Sequence, residues 1–391
     1  MFIHAEIELS VKNEGKRDWN PIIVKVTTDD GTYGLGEVGL AYGNAGRAGF
    51  GIVRDFAKHI IGMDAMNTEA IWNKLMNKTF WGQGGGTVIF AGMSAIDIAL
   101  WDIKGKALGV PIYQLLGGKC REELRCYASQ LQFDWGEHWR PLVHKEEYAE
   151  AALRAMDEGY NAVKVDFLEF DYQGNLKHLN LRGPQPNWVM KMGIERLEAI
   201  RKACGDDLDI IIENHGETDT TSAIQFGRLA EPYNIMYYEE VNTPLNPDMH
   251  KYVKDKINIP LAGGERIYSR WGYLPFFHAR SLDIIQPDLG TCGGLSEAKK
   301  ICDMAHAYDM TVQTHICASP ILKAASLHLE AAIPNFCIHE HHRIALIQGN
   351  VELCTNNYQP VKGKFEIPDL PGLGQDLTPK AYALAETITI D

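Results

Sequence analysis

The sequence predicts an α/β protein, a (β/α) barrel behind an N-terminal α+β segment, and two observations carry this. After about residue 124, eight short apolar runs alternate with amphipathic stretches: LRCYASQ, NAVKVDF, DLDIIIENH, IMYYEEV, IPLAGGER, LDIIQPDL, MTVQTHI and FCIHEHH. Eight strands separated by helices are what a closed parallel barrel requires. Before that point the texture differs, with antiparallel strand signals over 2–38 and helical periodicity over 45–110.

Taken in order, PIIVKVTTDDGTYGLGEV places two β-rich runs around Asp30-Gly31, a hairpin signal. Gly34, Gly36 and Gly39 match G-x-G-x-x-G, but no amphipathic helix opens after them, so a dinucleotide site is not expected. GIVRDFAKHIIG, EAIWNKLMNKTF and SAIDIALWDIKGKALG read as helices, the last with Ile96, Ala99, Leu100 and Ile103 in one stripe. MGIERLEAIRKACG and LSEAKKICDMAHAYD are amphipathic helices of the barrel layer. The chain closes on the irregular, Pro/Gly-rich DLPGLGQDLTPKAYA.

Composition excludes several function classes. The 391 residues suffice for two domains with real cores. Acidic residues outnumber basic ones 51 to 38, a net charge of -13, so the footprint of a nucleic-acid binder is missing. An acidic protein that binds an anion must gather cations locally or use a metal. No run approaches the ~20 apolar residues of a membrane helix, so no membrane partner is expected. The first residues lack a signal-peptide core. Eight scattered cysteines without a C-x-x-C pair fit neither a disulfide framework nor a zinc site. A reduced, soluble, cytoplasmic protein is expected.

The strand ends carry the chemistry. Glu213, Glu239, Glu265, Asp288, His315 and Glu340 follow one another at intervals of 26, 26, 23, 27 and 25 residues. Each interval fits one strand and one crossover helix, so all six can surround one barrel mouth. Carboxylates from neighbouring strands repel unless compensated, and oxygen donors favour a hard cation such as Mg²⁺. Asp288 beside His315 would fix an imidazole tautomer and make a general base. His215, two residues after Glu213, is expected on the same side by strand alternation. Lys164 and Asp166 share a face; the ammonium either meets a substrate carboxylate, compensates the metal ligands, or pairs with Asp166.

These residues, with SAIDIALWDIKGKALGVPIYQLLGG, IPLAGGERIYSRWGY, IIQPDLGTCGGLSEAKKICDMAHAYD and E-x-H-G at 213–216, resemble the enolase superfamily. The resemblance spans essentially the whole chain. It is to the mandelate racemase-type group, and within that to galactonate dehydratase-like sugar acid dehydratases. It implies a modified (β/α)₇β barrel over 124–355 and an α+β capping domain formed by 1–123 and completed by 356–391. It also implies Mg²⁺ on Glu213, Glu239 and Glu265, a base dyad of His315 and Asp288, and His215 as the acid for a departing hydroxyl. Glu340 would meet the substrate carboxylate or the intermediate, and Lys164 would join the catalytic set.

The substrate would be a sugar acid, converted to a 2-keto-3-deoxy acid by α-proton removal and loss of the 3-hydroxyl. Epimerisation or racemisation of a hydroxy acid, with His215 and His315 as opposed bases, is the rival reaction. Asp166 and Arg266 are expected near the substrate, and Arg266 or Arg270 is expected to add positive charge there to that of Lys164 and the metal. Cap loops 41–47 and 79–86 are expected at the mouth, with Tyr42, Arg47 and Trp81 as specificity residues. A homo-oligomer is also implied. Two departures stand out: Glu213 replaces the usual Asp, and Lys164-Val165-Asp166 replaces a K-x-K.

Overall fold

The computed structural model describes residues 1–11, 19–43, 45–136, 139–176 and 179–390. Strands β1 (Ile3–Val11), β2 (Ile22–Thr28) and β3 (Tyr33–Val38) form an antiparallel sheet. The expected hairpin joins β2 to β3: Thr28 N–H donates to Thr32 O at 2.8 Å, and Gly31 takes φ +83°. Helices α1 (Gly46–Ile60), α2 (Thr68–Lys78) and α3 (Thr87–Leu108) pack on this sheet. The stripe Ile96, Ala99, Leu100 and Ile103 is buried there.

The G-x-G of β3 has a packing reason. A Cβ on Gly34 would lie 2.0 Å from Ala99 O, and one on Gly36 would lie 1.9 Å from Ala95 O. Strand backbone therefore rests directly on α3 backbone, and only glycine leaves the room.

Eight parallel strands follow: β4 (Glu123–Ser129), β5 (Ala162–Val165), β6 (Asp209–Glu213), β7 (Ile235–Glu239), β8 (Leu261–Gly263), β9 (Ile284–Ile285), β10 (Thr311–Val312) and β11 (His339–His342). Each pairs with the next through β10, and β11 pairs back onto β4. A bridge from Val312 to Phe336 closes the ring. Helices Lys145–Asp157, Asn187–Cys204, Thr220–Ala230, Pro247–Lys254, Ser269–Ala279, Gly294–Ala307 and Pro320–Ala332 supply the crossovers. The architecture is a (β/α)₇β barrel with an N-terminal capping domain.

The segment after residue 355 divides instead of serving the cap alone. Strand β12 (Lys364–Glu366) runs antiparallel along the start of β4, while β13 (Ala385–Ile390) adds to the cap sheet beside β1. The barrel strand β4 offers a free edge near its start, and the tail fills it first.

Carboxylates fasten cap to barrel. Glu37 of β3 accepts from Ser319 N–H at 3.0 Å and Ser319 Oγ–H at 2.5 Å, at the N-terminus of helix Pro320–Ala332. Asp97 of α3 accepts from Ser296 N–H at 2.9 Å and its Oγ–H at 2.6 Å. All eight cysteines are free thiols. Among the described residues no helix is long and apolar enough to cross a membrane.

Candidate active site

Alternation along the barrel strands builds the site. Tyr127, Ala162, Ile211, Tyr237, Ala262, Ile284 and Ile338 form one buried layer, contributed by successive staves. Two residues further on, facing the same way, stand Ser129, Lys164, Glu213, Glu239 and Glu340. The charged set thus rests on an apolar plug.

Lys164 holds the set together. Its Nζ lies 2.6 Å from Glu239 Oε1, 2.8 Å from Glu213 Oε2 and 3.0 Å from Glu340 Oε1, with every side chain at most 1% exposed. Of the three fates open to it, the ammonium compensates the glutamates; Asp166 is committed elsewhere. Burial disfavours its charge, but Glu213, then Glu239 and Glu340, outweigh that and raise its pKa well above the ordinary value. Glu340 also accepts from Ser129 Oγ–H at 2.6 Å and Ile316 N–H at 3.0 Å, so both its oxygens are engaged by protein.

Three residues beyond β10, His315 sets Nδ1 2.7 Å from Asp288 Oδ2 and Nε2 3.1 Å from Glu265 Oε2. Burial opposes its protonation, yet Glu265 and then Asp288 raise its pKa to about 10. The dyad is made by adjacent staves, and Nε2 is the nitrogen directed at the carboxylates.

His215 arrives by a different route from the strand alternation expected for it. Strand β6 ends at Glu213, and His215 takes a left-handed φ of 47°. The turn swings the ring so that Nδ1 lies 3.0 Å from Asp166 Oδ2 and 3.6 Å from Glu169 Oε2, with Nε2 3.9 Å from Glu213 Oε2. Burial opposes its charge, while Glu213, Asp166 and Glu169 raise its pKa well above the usual value.

A glutamine chain reaches the same ring. Asp166 N–H donates to Gln132 Oε1 at 3.2 Å, Gln132 Nε2–H to Gln130 Oε1 at 2.5 Å, and Gln130 Nε2 stands 3.3 Å from His215 Nε2. Because a backbone N–H can only donate, it fixes both amides, and Gln130 presents N–H to the imidazole. Gln130, Gln132 and Glu169 are absent from the sequence reading. The strand-end rule applied to β4, which ends in Ser129, would have flagged Gln130.

The arginines are already occupied. Arg266 Nε donates to Glu240 Oε1 at 3.1 Å, Nη2 also pairs with Glu240 Oε2, and Nη2 donates to His215 O at 2.8 Å. It buttresses the His215 turn, with about two-fifths of its side chain exposed. Arg270 departs from the expected positive charge at the mouth: its Nε donates to Glu297 at 2.8 Å and its guanidinium lies over Trp271 and Trp72.

In the cap loops, Tyr42 and Trp81 are about three-quarters exposed, Trp81 is edge-on to Phe80, and Arg47 is exposed on α1. Among the described residues none of the three bonds to the barrel carboxylates. Asn44 of the first loop, and residues 177–178 of the long segment after β5, lie outside the described residues.

The donor chemistry suits a hard cation. Glu213 and Glu239 face each other across β6 and β7, and Glu239 Oε2 is buried without a hydrogen-bond partner. An unpartnered buried carboxylate oxygen is costly, and a cation with oxygen affinity would relieve it. Among the described residues, the acid and imidazole group whose ligand atoms all fall within 4.8 Å of one another is Asp166, Glu169 and His215. It contains none of the three expected ligands, and Glu265 lies against His315.

Comparison with known proteins identifies the family. Residues 147–381 match the family described as enolase C-terminal domain-like, and residues 5–117 match the mandelate racemase / muconate lactonizing enzyme N-terminal domain. The chain belongs to the enolase superfamily. It is similar to a D-xylonate dehydratase of Haloferax volcanii, 32% identical over 93% of this chain and 84% of that protein. It is 30% identical to a D-galactonate dehydratase of Ralstonia nicotianae, over 91% and 88% of the two chains. A solved enolase superfamily member from Salmonella Typhimurium is 55% identical, with a TM-score of 0.98 and full coverage of both chains. This enolase superfamily protein is an enzyme, and its dehydratase relatives are hydro-lyases.

Proposed function

We propose that the protein is a Mg²⁺-dependent sugar acid dehydratase that makes a 2-keto-3-deoxy acid from a galactonate-like aldonate or aldarate. The observation that carries this reading is the pair of imidazoles bracketing the buried carboxylates. His315 has Asp288 at Nδ1, and His215 has Asp166 at Nδ1. Names of the dehydratase relatives support the same chemistry.

In this reading Glu265, once engaged by the metal, would no longer hold His315 protonated, and the neutral His315 Nε2 takes the proton α to the substrate carboxylate, while Asp288 holds the tautomer and stabilises the imidazolium. His215 gives a proton to the 3-hydroxyl as the C3–O bond breaks, so that water leaves. The enol then tautomerises to the keto acid. Glu213, Glu239 and Glu265 would hold the metal, and a bound Mg²⁺ supplies Lewis-acid stabilisation of charge developing on the carboxylate. Lys164 keeps that cluster from excess negative charge. Arg266 holds the turn that carries His215.

The test is a screen of C4–C6 aldonic and aldaric acids with Mg²⁺, detecting 2-keto acid and following the α-proton by NMR in D₂O. A keto product supports dehydration. Solvent exchange at Cα without it would replace the proposal with epimerisation.

A further inference from the structure

We propose that the N-terminal end of the barrel carries a second binding site, for a small molecule bearing a phosphate group. A cavity of about 320 Å³ opens there beside the starts of β4 and β11 and the turn before β12. Arg121, Arg125, Lys362 and Lys364 line it, against the single carboxylate of Glu123. In a chain of net charge -13, four cations around one concavity are a local reversal of sign.

Among the described residues, two of these cations have no carboxylate of their own. Arg121 lies over the Phe336 ring at 4.8 Å and donates to the carbonyl oxygens of Glu330 and Pro334. Lys362 forms no ion pair among the described residues. Arg125 pairs with Asp209 at 2.5 Å, and Lys364 pairs with Glu123. The cavity therefore holds positive charge beyond what its own acids neutralise.

The turn that presents Lys362 is built to stay in place. Lys362 takes φ +50° and Gly363 φ +71° as the two central residues of a tight hairpin turn in which Val361 and Lys364 exchange backbone hydrogen bonds. A Cβ on Gly363 would lie 2.5 Å from Gly159 O, and one on Gly159 would lie 2.6 Å from Lys362 Cα. Backbone packed on backbone fixes this turn, and with it the point from which Lys362 projects. The ammonium groups, with the guanidinium N–H donors that the carbonyls and Asp209 leave free, suit a phosphate dianion with three acceptor oxygens. The seven residues of β4 separate this cavity from Ser129 at the catalytic mouth, roughly 20 Å away. The ligand is thus distinct from the substrate, and the volume accommodates a sugar phosphate.

The test is titration calorimetry on the whole protein, in EDTA and at constant ionic strength, with glucose 6-phosphate, inorganic phosphate and glucose as probes. We expect saturable binding of the two phosphate probes, one per chain, and none of glucose. Lys362→Asn tolerates the left-handed turn, and with Arg121→Gln should weaken binding at least tenfold, while Lys58→Asn leaves it unchanged. Tighter binding of the ester identifies a phosphorylated metabolite; equal affinities identify free phosphate, and both outcomes support the site. No saturable binding, or undiminished affinity in both cavity variants, overturns it.

Discussion

Lys164 Nζ stands 2.6 Å from Glu239 Oε1, with both side chains closed off from solvent. An ammonium enclosed by three carboxylates keeps its proton, so β5 contributes a fixed positive charge to the mouth and no base. Lys164→Met should leave the glutamates uncompensated and destabilise the protein by about 3–5 kcal/mol. Urea unfolding of the metal-free variant measures this; unchanged stability would show that the glutamates readily take up protons.

His315→Asn should lower turnover about 10²–10⁴-fold, the usual contribution of a positioned base. Metal affinity should survive, because the substitution spares all three glutamates. Keto acid formation and calorimetric Mg²⁺ titration check the two halves separately.

Chelation should silence the enzyme, and added Mg²⁺ should restore it. Anomalous diffraction from Mn²⁺-soaked crystals should place the ion on Glu213, Glu239 and Glu265. A peak on Asp166, Glu169 and His215 instead would reassign the ligands.

Gln130→Leu removes the N–H that faces His215 Nε2, a bond that only the neutral ring left after proton transfer can accept, so the imidazolium becomes the weaker acid. Loss of one such bond corresponds to about 1 kcal/mol, hence a several-fold fall in kcat with KM little changed. A shifted pH profile distinguishes this from general structural damage, which would leave the profile in place.

Asp97 gives a pH signature at the cap–barrel junction. Burial pushes its pKa up to about 7, against partial opposition from Ser296. An acid raised in the folded state binds its proton more tightly there than when unfolded, so its stabilisation is full at low pH and falls as pH rises. Between about pH 4 and 7 the loss should reach roughly 4 kcal/mol. Asp97→Asn should flatten that slope in urea midpoints measured across the range.

The spacing of strand ends was legible because strand and crossover lengths are nearly constant, so Glu213, Glu239, Asp288 and His315 could be phased by counting. Turn geometry was not. His215 and Glu240 leave their strands through φ values of 47° and 48°, and nothing in E-N-H-G or E-E-V specifies that handedness locally. Partner choice was equally hidden. Arg270 and Glu297 meet only after two crossover helices pack, and Lys164 reaches Glu340 only because β11 closes onto β4. Apolar periodicity encodes neighbours; which charge answers which depends on barrel closure.

The pairing of β13 with β1 bears on biosynthesis. During translation β1 is made long before β13, and until then the edge it later shares with β13 has no permanent neighbour. Barrel closure through β11 requires none of the last strand, so the catalytic half can mature while the cap sheet still has an open, aggregation-prone border. Nascent chains stalled between these two points would be the form most dependent on chaperones.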